Sequence, residues 1–394
     1  MNTEIMQSAQ RAGRWRISLL VGSHLIDDLY QGAVPAMLPF FVAERHFGYV
    51  AAAGITLAAT LLSSVVQPLF GMMTDKHPLP WLVPAGLGVA GIGVGLSGLV
   101  DSYLWTWLAI ALSGLGVAAY HPESARLARA AAAGSHVGMS WFSLGGNVGF
   151  ALAPIIVTPV MAAMGLGGSP LLMIPALVVG VLLSIMLRRL ITPAIAMSAA
   201  GRAALVDRWG QFARLGTVVI LRSIVTFALN TFLAIWVGER LDASGHLAGE
   251  AALVLYFGVG AVGTLLGGTL ASRFSRVRLI RTAYLLTIPT LAGVALVPGP
   301  LVYVFIAATA LCLYVPFSLH VTLGQDFLPT RVGTASGVTL GLAVSVGGLA
   351  APAVGALAEA VNLQTALLVL LLAPAASWFV ARGMREPTQL VGAQ

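Results

Sequence analysis

Apolar residues fill this chain in twelve long runs, separated by short polar stretches rich in Arg, Asp, Gly and Pro. Read with a window of ~19 residues, the first six runs cover approximately 16–41, 50–73, 80–100, 103–127, 137–163 and 169–189. After a break come 215–238, 247–272, 278–297, 300–324, 333–358 and 363–382. Each run is about 20 residues or longer, the length a helix needs to cross the hydrocarbon core of a bilayer. Without water to satisfy its backbone N–H and C=O groups, each must bond to itself as a helix. The pattern therefore predicts an all-α membrane protein with twelve transmembrane helices.

Composition agrees. The chain is 58% hydrophobic and 9% charged, with a mean hydropathy of +0.92, whereas soluble domains carry roughly 25% charge. The first run far exceeds the ~7–15 residues of a signal peptide's apolar core, and no small-residue cleavage site follows it. Cys312 is the single cysteine, which excludes a disulfide framework and a Cys-based metal site. The histidines are scattered, without H-x-x-H or H-E-x-x-H spacing, so no metal centre is expected.

The basic residues set the orientation. With a cytoplasmic N-terminus, 18 of the 21 Lys and Arg fall on the cytoplasmic side. Only Arg45 and Arg240 lie opposite, and Arg222 is embedded in a span. The positive-inside rule then places both termini in the cytoplasm. The net charge of +7 belongs to loops that meet anionic lipid headgroups. No basic-aromatic motif points to nucleic acid.

Polar marks recur at about half the chain length. Phe41-Val-Ala-Glu-Arg45 returns as Trp236-Val-Gly-Glu-Arg240, an offset of 195. Tyr120 and Pro122 match Tyr314 and Pro316; Gly149 and Pro154 match Gly347 and Pro352; Gly71 matches Gly268. The expected organisation is an N-terminal six-helix half (1–189), a cytoplasmic linker (190–214) and a C-terminal six-helix half (215–394). Six helices return the chain to its starting side, so the repeats run parallel about an axis along the membrane normal.

The loop after the second span, Gly71-Met-Met-Thr-Asp75-Lys76, resembles the G-x-x-x-D-[RK] signature of the major facilitator superfamily. Its Gly permits close helix approach, and its Asp can pair with a base or cap a neighbouring helix. The counterpart Gly268-Thr-Leu-Ala-Ser272-Arg273 has Ser in place of the acid. Within that superfamily four blocks are similar to the fosmidomycin-resistance group of efflux proteins. They are Ser23-His24-Leu25-Ile26-Asp27-Asp28-Leu29-Tyr30-Gln31-Gly32, Tyr120-His121-Pro122-Glu123-Ser124-Ala125-Arg126, Gly145-Gly146-Asn147-Val148-Gly149 and Ser336–Ala343. Asp27 stands where that group is expected to carry Asn, so this chain has an additional carboxyl.

Ionisable residues inside apolar helices are functional by default. His24, Asp28 and Gln31 share a face of the first span by helical period, with Asp27 near it. A carboxylate is disfavoured in a dry site, which suits it to proton exchange, and a His one turn away can share the proton. The bland alternative is polar bonding between helices. Glu123 is either a second proton site or an ion-pair partner of Arg126 at i+3. Under the repeat offset Arg222 faces Asp27, so it can form a breakable pair with it, bind two oxygens of an anion, or snorkel to the interface.

Candidate proton-coupling residues are therefore Asp27, Asp28, His24 and Glu123. Candidate substrate contacts are Arg222, His121, Gln31, Tyr30 and Asn230, with Tyr314, His320, Trp141 and Asn147. The gating motif comprises Gly71, Asp75, Lys76 and Arg273. Trp105, Trp107 and Trp236 read as interfacial anchors.

The resemblance implies a proton-coupled antiporter, working as a monomer by rocking of the two halves. It would export a small anionic or amphiphilic compound such as a fosmidomycin-like antibiotic. The same groups serve a proton-coupled importer of an organic acid, and more remotely a transport-dead sensor. No cofactor is expected; without G-x-x-x-x-G-K-[ST], ATP does not drive it, and no enzyme constellation is present.

Overall fold

The computed structural model describes residues 2–47, 49–191, 205–241 and 247–387. Among them the chain is helical, with no strand. Twelve helical segments follow the twelve apolar runs. The first six are α1 (Asn2–Arg45), α2 (Tyr49–Lys76), α3 (Leu82–Ser97), α4 (Tyr103–Ala131), α5 (His136–Met164) and α6 (Leu166–Leu190). The second six are α7 (Trp209–Leu241), α8 (Leu247–Ala271), α9 (Arg276–Leu296), α10 (Gly299–Phe327), α11 (Val332–Ala360) and α12 (Leu363–Arg382). Ten are long and apolar enough to cross a membrane; the other two are α1, with its polar face, and the shorter apolar α3. Most of the expected linker, 192–204, lies outside the described residues.

The chain forms two compact units. One comprises residues 1–204 and 331–345, the other 205–330 and 346–394. In the first, α1 lies against α5 because α5 presents glycines where the helices meet. A Cβ on Gly149 would overlap the carbonyl of Leu25, and one on Gly145 would overlap that of Val21. Small residues of this kind let helix backbones approach closely in a membrane. Tyr30 fastens α1 to α6: its hydroxyl donates to Leu172 O (2.7 Å) and accepts from Ala176 N (3.0 Å).

The repeat is visible in chemistry as well as in spacing. Arg45 donates to Gly98 O at the end of α3 (2.8 Å), and Arg240 to Ala295 O at the end of α9 (2.5 Å). Each Arg thus closes the third helix of its own half, where a cation is favoured by the carbonyl end of the dipole. Arg240 also lies over the Trp236 ring at 4.6 Å. Trp236 is not an interfacial anchor: it is buried, donating from Nε1 to Val294 O at 2.8 Å. Trp105, by contrast, is well exposed.

Candidate functional site

α1 and α4 bring two parts of the sequence together in the core of the first unit. His24 sits one turn above Asp28, with Nε2 3.4 Å from Asp28 Oδ2. His121 reaches across from α4, with Nε2 3.1 Å from Asp28 Oδ1 and 3.3 Å from His24 Nε2. Gln31 donates to Asp28 Oδ1 at 3.0 Å. Asp27 is fully buried; its carboxyl has no hydrogen bond, and His121 Nδ1 lies 3.4 Å from its Oδ2.

The backbone decides which ring nitrogens carry protons. His24 Nδ1 lies 2.8 Å from Phe142 O, and His121 Nδ1 lies 2.9 Å from Val117 O. A carbonyl only accepts, so both Nδ1 atoms donate. In neutral rings both Nε2 atoms then present lone pairs to one another and to Asp28. Three acceptors converge, which is unfavourable unless a proton or another cation sits among them. Among the described residues, these three side chains bring donor atoms within 4.8 Å of one another, near enough to hold a metal ion. The Phe142 ring stacks on His24 with centroids 4.2 Å apart, and Ser23 and Tyr120 bond through their hydroxyls at 2.6 Å. Gly146 gives the cluster its room: a Cβ there would overlap Asp28 Oδ2 and lie 2.8 Å from His24 Nε2.

The second unit holds a cluster of different character around Arg222 on α7. Arg222 is buried, donates from Nε to Leu313 O (2.6 Å), and lies over the rings of Phe317 and Tyr314 at 4.8 and 5.3 Å. That geometry replaces snorkelling. α10 breaks at Tyr314–Pro316, where Pro lacks the N–H that would continue the ladder. Tyr256 packs edge-on to Tyr314 at 5.7 Å, and Tyr284 OH meets His320 Nε2 at 3.2 Å. Buried Asn230 Oδ1 has no hydrogen-bond partner. Asp27 and Arg222 belong to different units, and each finds a partner within its own.

A family model described as Major Facilitator Superfamily matches residues 20–384. The chain belongs to this superfamily. It is 30% identical over 380 residues to the MFS-type transporter YfnC of Bacillus subtilis, covering 91% of this chain and 90% of that one. It is 28% identical over 349 residues to the fosmidomycin resistance protein of Escherichia coli, covering 87% and 86%. Among solved structures it resembles the fucose transporter FucP in its outward conformation, with TM-score 0.76, 14% identity and 94% and 99% of the two chains covered. The human organic anion transporter MFSD10 matches with TM-score 0.71 at 15% identity, covering 94% and 99%. These superfamily relatives are transporters, and the chain is a transporter rather than an enzyme.

The superfamily signature has a definite role in the first unit. Asp75 accepts from Gly333 N (2.6 Å), Thr334 N (2.9 Å) and Thr334 Oγ1 (2.5 Å). It caps the start of α11, satisfying N–H groups that the helix leaves unbonded. Gly71 permits the approach, because a Cβ there would overlap the Gly333 carbonyl. Lys76 and Arg273 are exposed, and Ser272 spends its hydroxyl on Thr269 O (2.6 Å). The Ser336–Ala343 block holds the π-helical stretch Gly337–Leu342.

Several sequence expectations separate here. Glu123 is fully buried and grips Arg126 through both oxygens (2.9 and 2.5 Å), so the local ion pair is the observed arrangement. Tyr30 is committed to α6 and fully buried, which leaves it no hydroxyl for a substrate. Trp141 is half exposed on α5, whereas Phe142, its neighbour, faces the cluster. Asn147 is half-buried on α5, one residue beyond Gly146. Tyr256 and Tyr284, ordinary aromatic positions, carry no signal in the sequence until the helices are packed; Phe142, which beside Trp141 could line a cavity or meet lipid, is turned to the cluster.

Proposed function

We propose that this transporter exports a small anionic or amphiphilic compound, of the fosmidomycin type, across a bacterial inner membrane in exchange for protons. The convergence of His24, Asp28 and His121, with Asp27 beside them, carries the reading. Leaving a buried carboxylate unpaired costs several kcal/mol or more, and two neutral imidazoles cannot bond to each other as placed. A cluster with this demand for positive charge, partly open at Asp28 (17% exposed side chain), suits loading and unloading of a proton during alternating access. His24 and His121 share the proton with Asp28, and Asp27 holds the balance of charge behind His121.

Arg222 is assigned the anion. It is buried against Tyr314 and Phe317, and its fork suits phosphonate or carboxylate oxygens. Asn230 and His320, each with a buried polar atom lacking a partner, extend that surface. The likeness to a fosmidomycin resistance protein supports the compound class. Glu123, held by Arg126, is given no proton role. The termini are placed in the cytoplasm, and the working form is a monomer.

Inverted membrane vesicles with an imposed pH gradient test the direction. Acid-inside vesicles should accumulate the compound, and collapsing the gradient should stop it. Accumulation only when protons and compound move the same way would establish symport and defeat the proposal.

A further inference from the structure

We propose that His24, Asp28 and His121 bind one divalent transition-metal ion of the zinc class. The donor atoms lie close together, with Asp28 turning one carboxylate oxygen to each imidazole and one donor from each residue within 4.8 Å of the others. His24 Nε2 and His121 Nε2 are 3.3 Å apart, His24 Nε2 is 3.4 Å from Asp28 Oδ2, and His121 Nε2 is 3.1 Å from Asp28 Oδ1. In a tetrahedral zinc site with bonds of about 2.0–2.1 Å, neighbouring ligands stand about 3.3 Å apart. The imidazole–imidazole approach and each imidazole–carboxylate approach thus fall near that separation, with Asp28 meeting the two rings through different oxygens.

Ligand orientation points the same way. A metal-binding His commonly donates its second N–H to a backbone carbonyl or carboxylate, which fixes the tautomer and aims the lone pair. Both histidines do so here, through Phe142 O at 2.8 Å and Val117 O at 2.9 Å. Asp27 adds a carboxylate 3.4 Å from His121 Nδ1, fully buried and without a hydrogen bond. Gln31 holds Asp28 from the other side at 3.0 Å. On α5, Gly146 keeps the space open, since a Cβ there would intrude on both Asp28 and His24.

Ligand chemistry selects the ion. Two imidazoles and one carboxylate suit Zn²⁺, Co²⁺ or Ni²⁺, whereas Mg²⁺ and Ca²⁺ prefer all-oxygen shells. His24 and His121 are buried (2% and 4% exposed), and Asp28 is the more open member, so the fourth position belongs to water or to an oxygen of a bound compound entering past Asp28. The proposal rests on geometry and concerns the same side chains to which the proton is assigned, so a metal ion and a shared proton are alternative occupants of one cluster.

The test uses the purified full-length chain in detergent, stripped with chelator and titrated with Co²⁺. Visible absorption typical of four-coordinate cobalt should develop with about one ion per chain and be displaced by Zn²⁺. His24→Ala and His121→Ala should each weaken binding by about 100-fold or more, and Asp27→Asn by about 10-fold, as loss of an orienting group does. His320→Ala should leave binding unchanged. If a His variant fails to fold, X-ray absorption of zinc-loaded wild-type protein decides instead, with two imidazoles and oxygen at about 2.0–2.1 Å expected. An all-oxygen shell, binding unaltered in folded His24→Ala and His121→Ala variants, or equal affinity for Mg²⁺ would overturn the proposal.

Discussion

The polar core of the first unit is built from carboxylates and imidazoles, while that of the second is built from one guanidinium among aromatic rings. The two units share a repeat, as Arg45 and Arg240 still close equivalent helices. Tyr120 and Pro122 in α4 likewise answer Tyr314 and Pro316 in α10. Between them, however, the first half carries His121 and the second Val315. α4 continues through Pro122, whereas α10 breaks before Pro316 and leaves the Leu313 carbonyl to Arg222. One framework thus supports two chemistries: a cluster that needs positive charge, and a cation stacked on rings.

The largest expected effect separates those chemistries. Removing one member of a buried charged group typically costs about 3–5 kcal/mol, more than 100-fold in an equilibrium. Asp28→Asn should therefore abolish gradient-driven efflux while leaving compound binding measurable. Arg222→Lys should do the reverse, weakening binding by about 10–100-fold through loss of charged hydrogen bonds worth about 1.5–3 kcal/mol. Isothermal titration beside vesicle transport separates the two. If both variants lose both properties equally, the division of labour is wrong.

A second comparison concerns packing. Gly146→Ala places a methyl among Asp28 and His24, and overpacking of this kind costs about 1–3 kcal/mol. Thermal unfolding in detergent should shift down by several degrees. Gly258→Ala in α8, where a Cβ meets nothing within 4 Å, should leave the midpoint unchanged or raise it.

Smaller effects distinguish the gating loops. Asp75→Ala removes a helix cap worth about 1 kcal/mol, whereas Ser272→Ala should fall within about 0.5 kcal/mol of wild type. Equal losses in thermal stability would remove the asymmetry between the signature and its counterpart.

The second unit instead fastens its end through Arg276, which donates to Asp326 (2.5 Å) and Glu386 (2.7 Å). Burial pushes the Glu386 carboxyl up, but the Val277 N–H and Arg276 outweigh it and hold the group below its ordinary value. Its stabilisation is present above the unfolded carboxyl value and is lost as pH falls through the folded one. A thermal midpoint that drops more steeply below about pH 4.3 in wild type than in Glu386→Gln is expected.

Much of the fold was legible because lipid imposes it. Apolar runs of spanning length leave the backbone no alternative to helix, and the observed ends fall within a few residues of most predicted limits. α1 is the exception, running from Asn2 to Arg45, well beyond its apolar stretch. Helical period correctly grouped His24, Asp28 and Gln31, which lie on one element. The meeting of His24 with His121 was not legible, since 97 residues separate them and only the packing of α1, α4 and α5 brings them together. Tyr30 and Glu123 sit in blocks that mark a functional motif, yet their side chains bond to α6 and to Arg126; for Glu123 that i+3 pair is one of the two arrangements its spacing offers.

Proton release by the purified transporter, measured with a pH-sensitive dye as a fosmidomycin-type compound is added, tests the central claim most directly. The account predicts release by wild type, none by Asp28→Asn, and release by Arg222→Lys once the compound is raised to saturation. Unchanged release by folded Asp28→Asn and His121→Ala variants would contradict it.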